Sequence, residues 1–168
     1  MASTFWRLTK AKYATAEAEQ QGRGPFSGYG SMLSAGRWHP RGRPVVYAAE
    51  SAALALLETL VHVEKAALLH FAYVAIPVVI PSALYETGSV AELDAADLPG
   101  DWQAWPYPAS TQQRGTAWFD ARQAVALVVP SAVVPHERNV LLNPLHERFV
   151  DLEIGAPQPF PIDHRLGL

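Results

Sequence analysis

The chain contains no cysteine. That excludes disulfide scaffolds, thiolate zinc ligands and thiol nucleophiles together. It has no run of Lys or Arg, and its formal net charge is −3. A polyanion-binding groove is therefore not favoured, whereas a locally basic pocket for a small phosphorylated ligand remains open. Long apolar runs are also missing. The longest, Phe71 to Ile80, is interrupted by Pro77 and is too short to span a bilayer. The opening residues, MASTFWRLTK, lack the apolar centre of a secretory signal. A soluble cytoplasmic protein with no membrane contact is the expectation.

What is present is a globular balance. Of 168 residues, 49% are apolar and 17% charged, which separates the chain from disordered sequences. No repeat, linker or low-complexity segment divides it, so residues 1–168 are expected to form a single domain. A chain of this size buries roughly 70% of its unfolded surface.

Several chemistry-bearing motifs fail. His136, His146 and His164 form no HExxH pair. Asp94, Asp97 and Asp101 have no EF-hand spacing. Gly22, Gly24, Gly28 and Gly30 mark a turn-rich loop rather than a dinucleotide-binding GxGxxG. Ser131 sits in no GxSxG elbow. The five tryptophans read as core residues. No metal or resident cofactor is expected.

Periodicity gives a coarse element order. Phe5-Trp6-Arg7-Leu8 reads as a first strand, with Arg7 either a solvated strand residue or a charge aimed into a cleft. Ala11 to Gln21 reads as helix or loop. Pro44 to Ala48 reads as a strand and Ser51 to Val63 as a helix, with Ser51 as its N-cap. The spacing of Leu54, Leu57 and Val61 predicts one buried stripe, with Glu58 beside it. Phe71 to Val79 is an expected strand, at an edge or ending near Pro77. Ala83 to Pro108 is an expected loop with one short helix, and Ser110 to Asp120 a helix. Ala124 to Val129 is an expected buried central strand. A short strand follows, then a turn at Asn143-Pro144 and a last strand over Phe149 to Ile154.

Arg37 on a turn, Tyr47 near a strand end and Glu58 on a helix come from consecutive elements. Such elements usually pack together, so a guanidinium, a phenol and a carboxylate can converge on one cleft. The ordinary reading of the same residues is a surface ion pair, contributing about 0–1 kcal/mol, beside a packing tyrosine.

The ordered blocks along the chain resemble the RES domain family, toxins of bacterial toxin–antitoxin pairs. They are Trp6-Arg7-Leu8, Gly36-Arg37-Trp38, Pro44-Val45-Val46-Tyr47, Ala55-Leu56-Leu57-Glu58, Gly115-Thr116-Ala117-Trp118, the run from Val129 to Pro135, Asn139 to Pro144, and Phe160 to Leu166. This sequence departs from the family at His39, where Asn is usual, and at Ala35-Gly36, where Gly-Gly is common. Both are expected to tune the turn.

The resemblance implies a small α+β fold like that of ADP-ribosyltransferases such as diphtheria toxin, with a cleft for NAD. It implies cleavage of the nicotinamide–ribose bond, with ADP-ribose passed to water, phosphate or a protein. It maps Arg37, Tyr47, Glu58 and Ser131 onto the family's active site and adds Asn143 as a further position. NAD is then substrate. Arg37, with Arg7 as the other candidate, would meet the pyrophosphate. Tyr47 would stack on nicotinamide, and Glu58 would stabilise an oxocarbenium-like ribose, hold a ribose hydroxyl or activate the incoming nucleophile. Ser131 would hydrogen-bond the ribose or carboxamide. The implied partner is a helix-turn-helix antitoxin that blocks the cleft, touches DNA on the toxin's behalf, and can bring two toxin copies together. The competing readings are an ADP-ribosyltransferase with one protein target and an interaction module without catalysis.

Overall fold

Runs rich in Val, Ile and aromatic residues become strands because those side chains pack well on a pleated, half-buried surface. In the computed structural model, which describes residues 1–64 and 68–167, β1 (Ser3–Lys10) pairs antiparallel with β3 (Tyr73–Ile80) from Ser3–Ile80 to Lys10–Tyr73. On the other side of β1 lies β2 (Val46–Ala49), joined to it only at Trp6–Ala49. Beyond β2 come β6 (Arg138–Leu142), β5 (Ala126–Pro130) and β4 (Val90–Glu92). The short β7 (Glu153–Ile154) and β8 (Gln158–Phe160) both add to the outer side of β3. All pairs are antiparallel except β4 with β5.

Among the described residues five helices dress this sheet: α1 (Ala16–Gln20), α2 (Tyr29–Leu33), α3 (Ala52–Leu60), α4 (Ser82–Glu86) and α5 (Ala109–Ala121). Strand β5 shows why its sequence is a continuous apolar run. Ala126 and Val128 join the core with Phe5, Val78 and Leu142, while Leu127 and Val129 join a second core with Trp38, Trp118 and Phe119. Both faces are covered, so alternation has nothing to distinguish. A third cluster, Leu8, Ala49, Leu54, Ala55 and Tyr73, seats α3 on the sheet.

Four expectations change. Helix α3 ends at Leu60, and its buried residues are Leu54 and Ala55, whereas Leu57 and Val61 are 39% and 59% exposed. The inward stripe is therefore rotated by one position. Glu58, four residues after Leu54 and three after Ala55, stands on the inward face itself. Strand β3 is interior, and Pro77 lies within it. Its carbonyl accepts from Gly155 N–H at 2.8 Å on the outer side, between the residues paired to β7 and those paired to β8. A residue's N and C=O point the same way along a strand, so the missing proline N–H falls where no strand asks for it. The span expected as a last strand begins as a 3₁₀ turn, Glu147–Asp151, before the two residues of β7. The stretch from Ala83 to Pro108 is more ordered than expected. It contains most of α4, then β4 and a 3₁₀ turn at Ala95–Asp97. No helix among the described residues is long and apolar enough to cross a membrane.

Candidate active site

A cavity of about 940 Å³ opens where β1 and β2 part. Its walls come from β1, the turn Ser34–His39, β2, α3, the residues Trp105 and Tyr107, and the segment after β5. Arg7, Arg37, Tyr47 and Glu58 all line it. The size lies at the upper end of ordinary small-molecule sites. Register explains the convergence. Tyr47 faces Leu141 and Ala49 faces Asn139, so Tyr47, Ala49 and Asn139 share one face of the sheet. That face carries α3, which is capped by Ser51: its hydroxyl accepts from Leu54 N–H at 3.0 Å and donates to Glu137 at 2.6 Å.

Glu58 is held by one oxygen. Its Oε1 accepts from Ser131 Oγ at 2.8 Å and from Asn139 Nδ2 at 2.6 Å. Its Oε2 has no hydrogen-bond partner among the described residues. The Ser131 hydroxyl accepts from the N–H groups of Val133 and Val134 at 3.1 and 3.0 Å, which leaves its proton for Glu58. Ser131 is fully buried and stands behind the cavity wall.

The two guanidinium groups have different surroundings. Arg7 donates from Nε to the Pro25 carbonyl and from an Nη to the Tyr47 carbonyl, each at 2.9 Å. It thereby fills the gap where β1 and β2 separate. Burial pulls its guanidinium down to about 10, still protonated at neutral pH, and no ion pair to it is found among the described residues. Arg37 donates to three successive carbonyls, Trp102, Gln103 and Ala104, the last at 3.1 Å. It also lies over the Tyr107 ring, 5.1 Å from its centre. Desolvation lowers the Arg37 guanidinium from its usual range, against raising contributions from Tyr107, Glu58 and Tyr47.

Tyr47 is tied at its hydroxyl. His39 places Nε2 3.1 Å from the Ser34 carbonyl and Nδ1 2.7 Å from the Tyr47 hydroxyl. A carbonyl only accepts, so neutral His39 carries its proton on Nε2, and Tyr47 donates to Nδ1. Burial is the main cause that pushes the Tyr47 phenol well above its ordinary range and His39 below its own. The turn closes through Gly36 and His39, whose backbones bridge. A Cβ on Gly36 would lie 2.6 Å from His39 Cε1 and 2.9 Å from the Tyr47 hydroxyl. Helix α5 braces the same turn: Gln112 donates to the Gly36 carbonyl at 3.0 Å, and a Cβ on Gly115 would run into the Trp38 carbonyl. The Gly36-Arg37-Trp38 and Gly115 blocks of the sequence are thus one contact.

At the outer lip Trp105, 73% exposed, meets Tyr107 edge-on at 4.6 Å, and the Tyr107 hydroxyl lies 3.3 Å from His62 Nδ1. Asn143 is elsewhere. It is fully buried beyond the far end of β6, where its Oδ1 accepts from Leu145 N–H at 3.0 Å and its Nδ2 faces the Phe119 carbonyl. It shapes the turn and does not line the cavity. No group of three or more potential metal ligands occurs among the described residues.

The RES domain profile matches residues 4–163. The chain belongs to the RES domain family. It is 43% identical over 147 residues to a protein named Toxin Res from Photorhabdus laumondii subsp. laumondii, covering 86% of this chain and 84% of that one. It is 36% identical over 147 residues to the Prs ADP-ribosylating toxin of a Sphingobium species, covering 87% and 85%. Among solved structures, the M. tuberculosis MbcT–MbcA toxin–antitoxin complex matches this RES domain with a TM-score of 0.66 at 20% identity, over 99% of this chain and 87% of that one. The α+β domain expected of the family is the fold found.

Sequence reasoning missed Asn139, His39 as the partner of Tyr47, and the Trp105–Tyr107 lip. Asn139 had a signal. It is a polar residue between the charged Arg138 and the apolar run Val140 to Leu142 in β6.

Proposed function

We propose that this RES domain toxin acts on NAD, breaking the bond between nicotinamide and its ribose. The observation that carries the reading is a single cavity holding a carboxylate fixed by one oxygen, a tied tyrosine and two guanidinium groups. NAD brings a pyrophosphate, a cationic ring and a ribose, and the cavity offers a complement to each. Arg7 is the cation suited to the pyrophosphate, since its charge is not offset by an acidic side chain among the described residues. Arg37 holds the 102–104 loop and adds positive potential. Tyr47, fixed through its hydroxyl, presents its ring as a stacking surface for nicotinamide.

The reaction breaks the C1′–N1 bond, and its electron pair leaves with nicotinamide as the neutral amide. Positive charge develops on the ribose, and Glu58 stabilises it. Water or phosphate then bonds to C1′. When water attacks, its proton passes to Glu58 and on to solvent. No metal or further cofactor enters this scheme. An antitoxin would close the cavity, whose lining includes the exposed Val61 and Trp105. We assign that role to a helix-turn-helix protein in the cytoplasm, with DNA reached only through it and two toxin copies in one complex.

A second reading, transfer of ADP-ribose to one protein, is favoured by the 36% identical relative named for ADP-ribosylating Prs. One experiment separates the two. Purified protein is incubated with NAD, with and without phosphate or cell lysate, and free nicotinamide is measured beside labelling from tagged NAD. Turnover without lysate supports NAD cleavage. Release that needs lysate, with one labelled band, supports transfer. No release under either condition removes both.

A further inference from the structure

Asn139 lines the cavity, is 9% exposed, and lies between the small Ala49 of β2 and Val129 of β5. An ionised carboxylate accepts hydrogen bonds and cannot donate them. The side-chain amide must therefore turn its nitrogen to Glu58, as it does at 2.6 Å. Ser131 is constrained in the same sense, because two backbone N–H groups occupy its lone pairs and only its proton is left. Two donors from two elements, β6 and the segment after β5, thus converge on Oε1. Neither reaches Oε2. A carboxylate on an exposed helix face would rotate freely about its last bond. Here that rotation would break both bonds, so the two oxygens are not equivalent.

We propose that Asn139 is a positioning residue for the reaction: by binding Oε1 it fixes the Glu58 carboxylate and leaves Oε2 as the oxygen that faces the ribose. This rests on the NAD-cleaving reading. It adds a residue to the machinery and assigns the two oxygens different work. The ionisable groups acting on Glu58 from neighbouring elements are Arg37 of the turn, Tyr47 of β2 and Tyr107 of the lip. None of these donates to Oε1.

The test compares wild type with Asn139→Leu and Asn139→Asp, using nicotinamide release from NAD at saturating and limiting concentrations. Leu keeps the branched shape, though it is bulkier, and removes the donor. A loss of kcat of about 100-fold is expected, in the range of removing one preorganised donor, with KM changed less than about threefold. Asp keeps the shape but, when ionised, sets a second charge against Glu58. A carboxyl pair this close retains one proton as pH falls and regains a donor. The ratio of Asn139→Asp to wild-type kcat should therefore climb by tenfold or more from about pH 8 to about pH 5, while the Asn139→Leu ratio stays flat. A residue that merely packs would shift the melting temperature without this pH-dependent recovery. If wild type releases nicotinamide and both variants keep its kcat at every pH, the positioning role is wrong. If Asn139→Leu fails to fold, a pH-independent Asn139→Asp ratio overturns it alone. A wild type that releases no nicotinamide defeats the functional reading instead.

Discussion

Glu58→Gln separates the charge of the carboxylate from its shape. The variant retains one oxygen, and Ser131 and Asn139 both require an acceptor where Oε1 now lies. The glutamine must therefore seat its oxygen there and place its NH₂ where Oε2 was. Both bonds survive but lose their ionic partner. Bonds to a charged group contribute about 1.5–3 kcal/mol and neutral ones about 0.5–1.5, so the pair loses roughly 2 kcal/mol. For a domain of this size that lowers Tm by about 4–8 °C. The catalytic loss should be larger, because charge stabilisation is needed most when the ribose becomes cationic. Removal of one such electrostatic element commonly costs 10²–10³ in rate, or about 2.7–4 kcal/mol. The assay is nicotinamide release by the folded variant, with a thermal melt on the same sample. A release rate within about threefold of wild type, at a Tm showing the protein folded, would refute the assigned role of Glu58.

Four further outcomes follow from the same geometry. Gly115→Ala should destabilise the domain by about 1–3 kcal/mol, read by thermal melt, because its Cβ meets the Trp38 carbonyl and α5 must withdraw from the Arg37 turn. Arg7→Lys should lower kcat/KM for NAD with kcat less affected, and the defect should shrink for nicotinamide mononucleotide, which has no pyrophosphate. Arg37→Lys should increase proteolytic cleavage between residues 99 and 106, since one ammonium cannot span the three carbonyls that the guanidinium holds. For His39, burial holds the folded-state value below the ordinary 6.5, so between the two values the unfolded chain binds more protons. Its contribution to stability is full above about 6.5 and declines as pH falls below that. Wild type should accordingly lose more Tm than His39→Asn between about pH 7.5 and 5.5, and equal slopes would remove His39 from the acid sensitivity.

Local patterns in the chain were enough for some features. Ser51 followed by an apolar helix pattern fixed the start of α3, and the apolar run through Val129 fixed a strand buried on both faces. These are short-range properties: a cap needs only its own first turn, and a run without polar residues has no face to give to water. The order of Arg37, Tyr47 and Glu58 on successive elements made one shared cleft a candidate, and the structure brings all three to its lining. What the linear sequence did not carry was register and rotation. The stripe through Leu57 and Val61 is not the inward one because α3 rests on the sheet through Leu54 and Ala55, which turns Glu58 inward and leaves Leu57 and Val61 outside that contact. The partners of Glu58 lie 73 and 81 residues away in sequence, and only the pairing of β2 with β6 decides that Asn139, rather than Asn143, stands opposite Ala49. Ser131, and after it Asn143, were expected contacts for a ligand as residues in a motif. Tertiary structure buries both, setting Ser131 behind Glu58 and Asn143 beyond the far end of β6, because a strand's two ends look alike in sequence and only the packed sheet says which one borders the cavity.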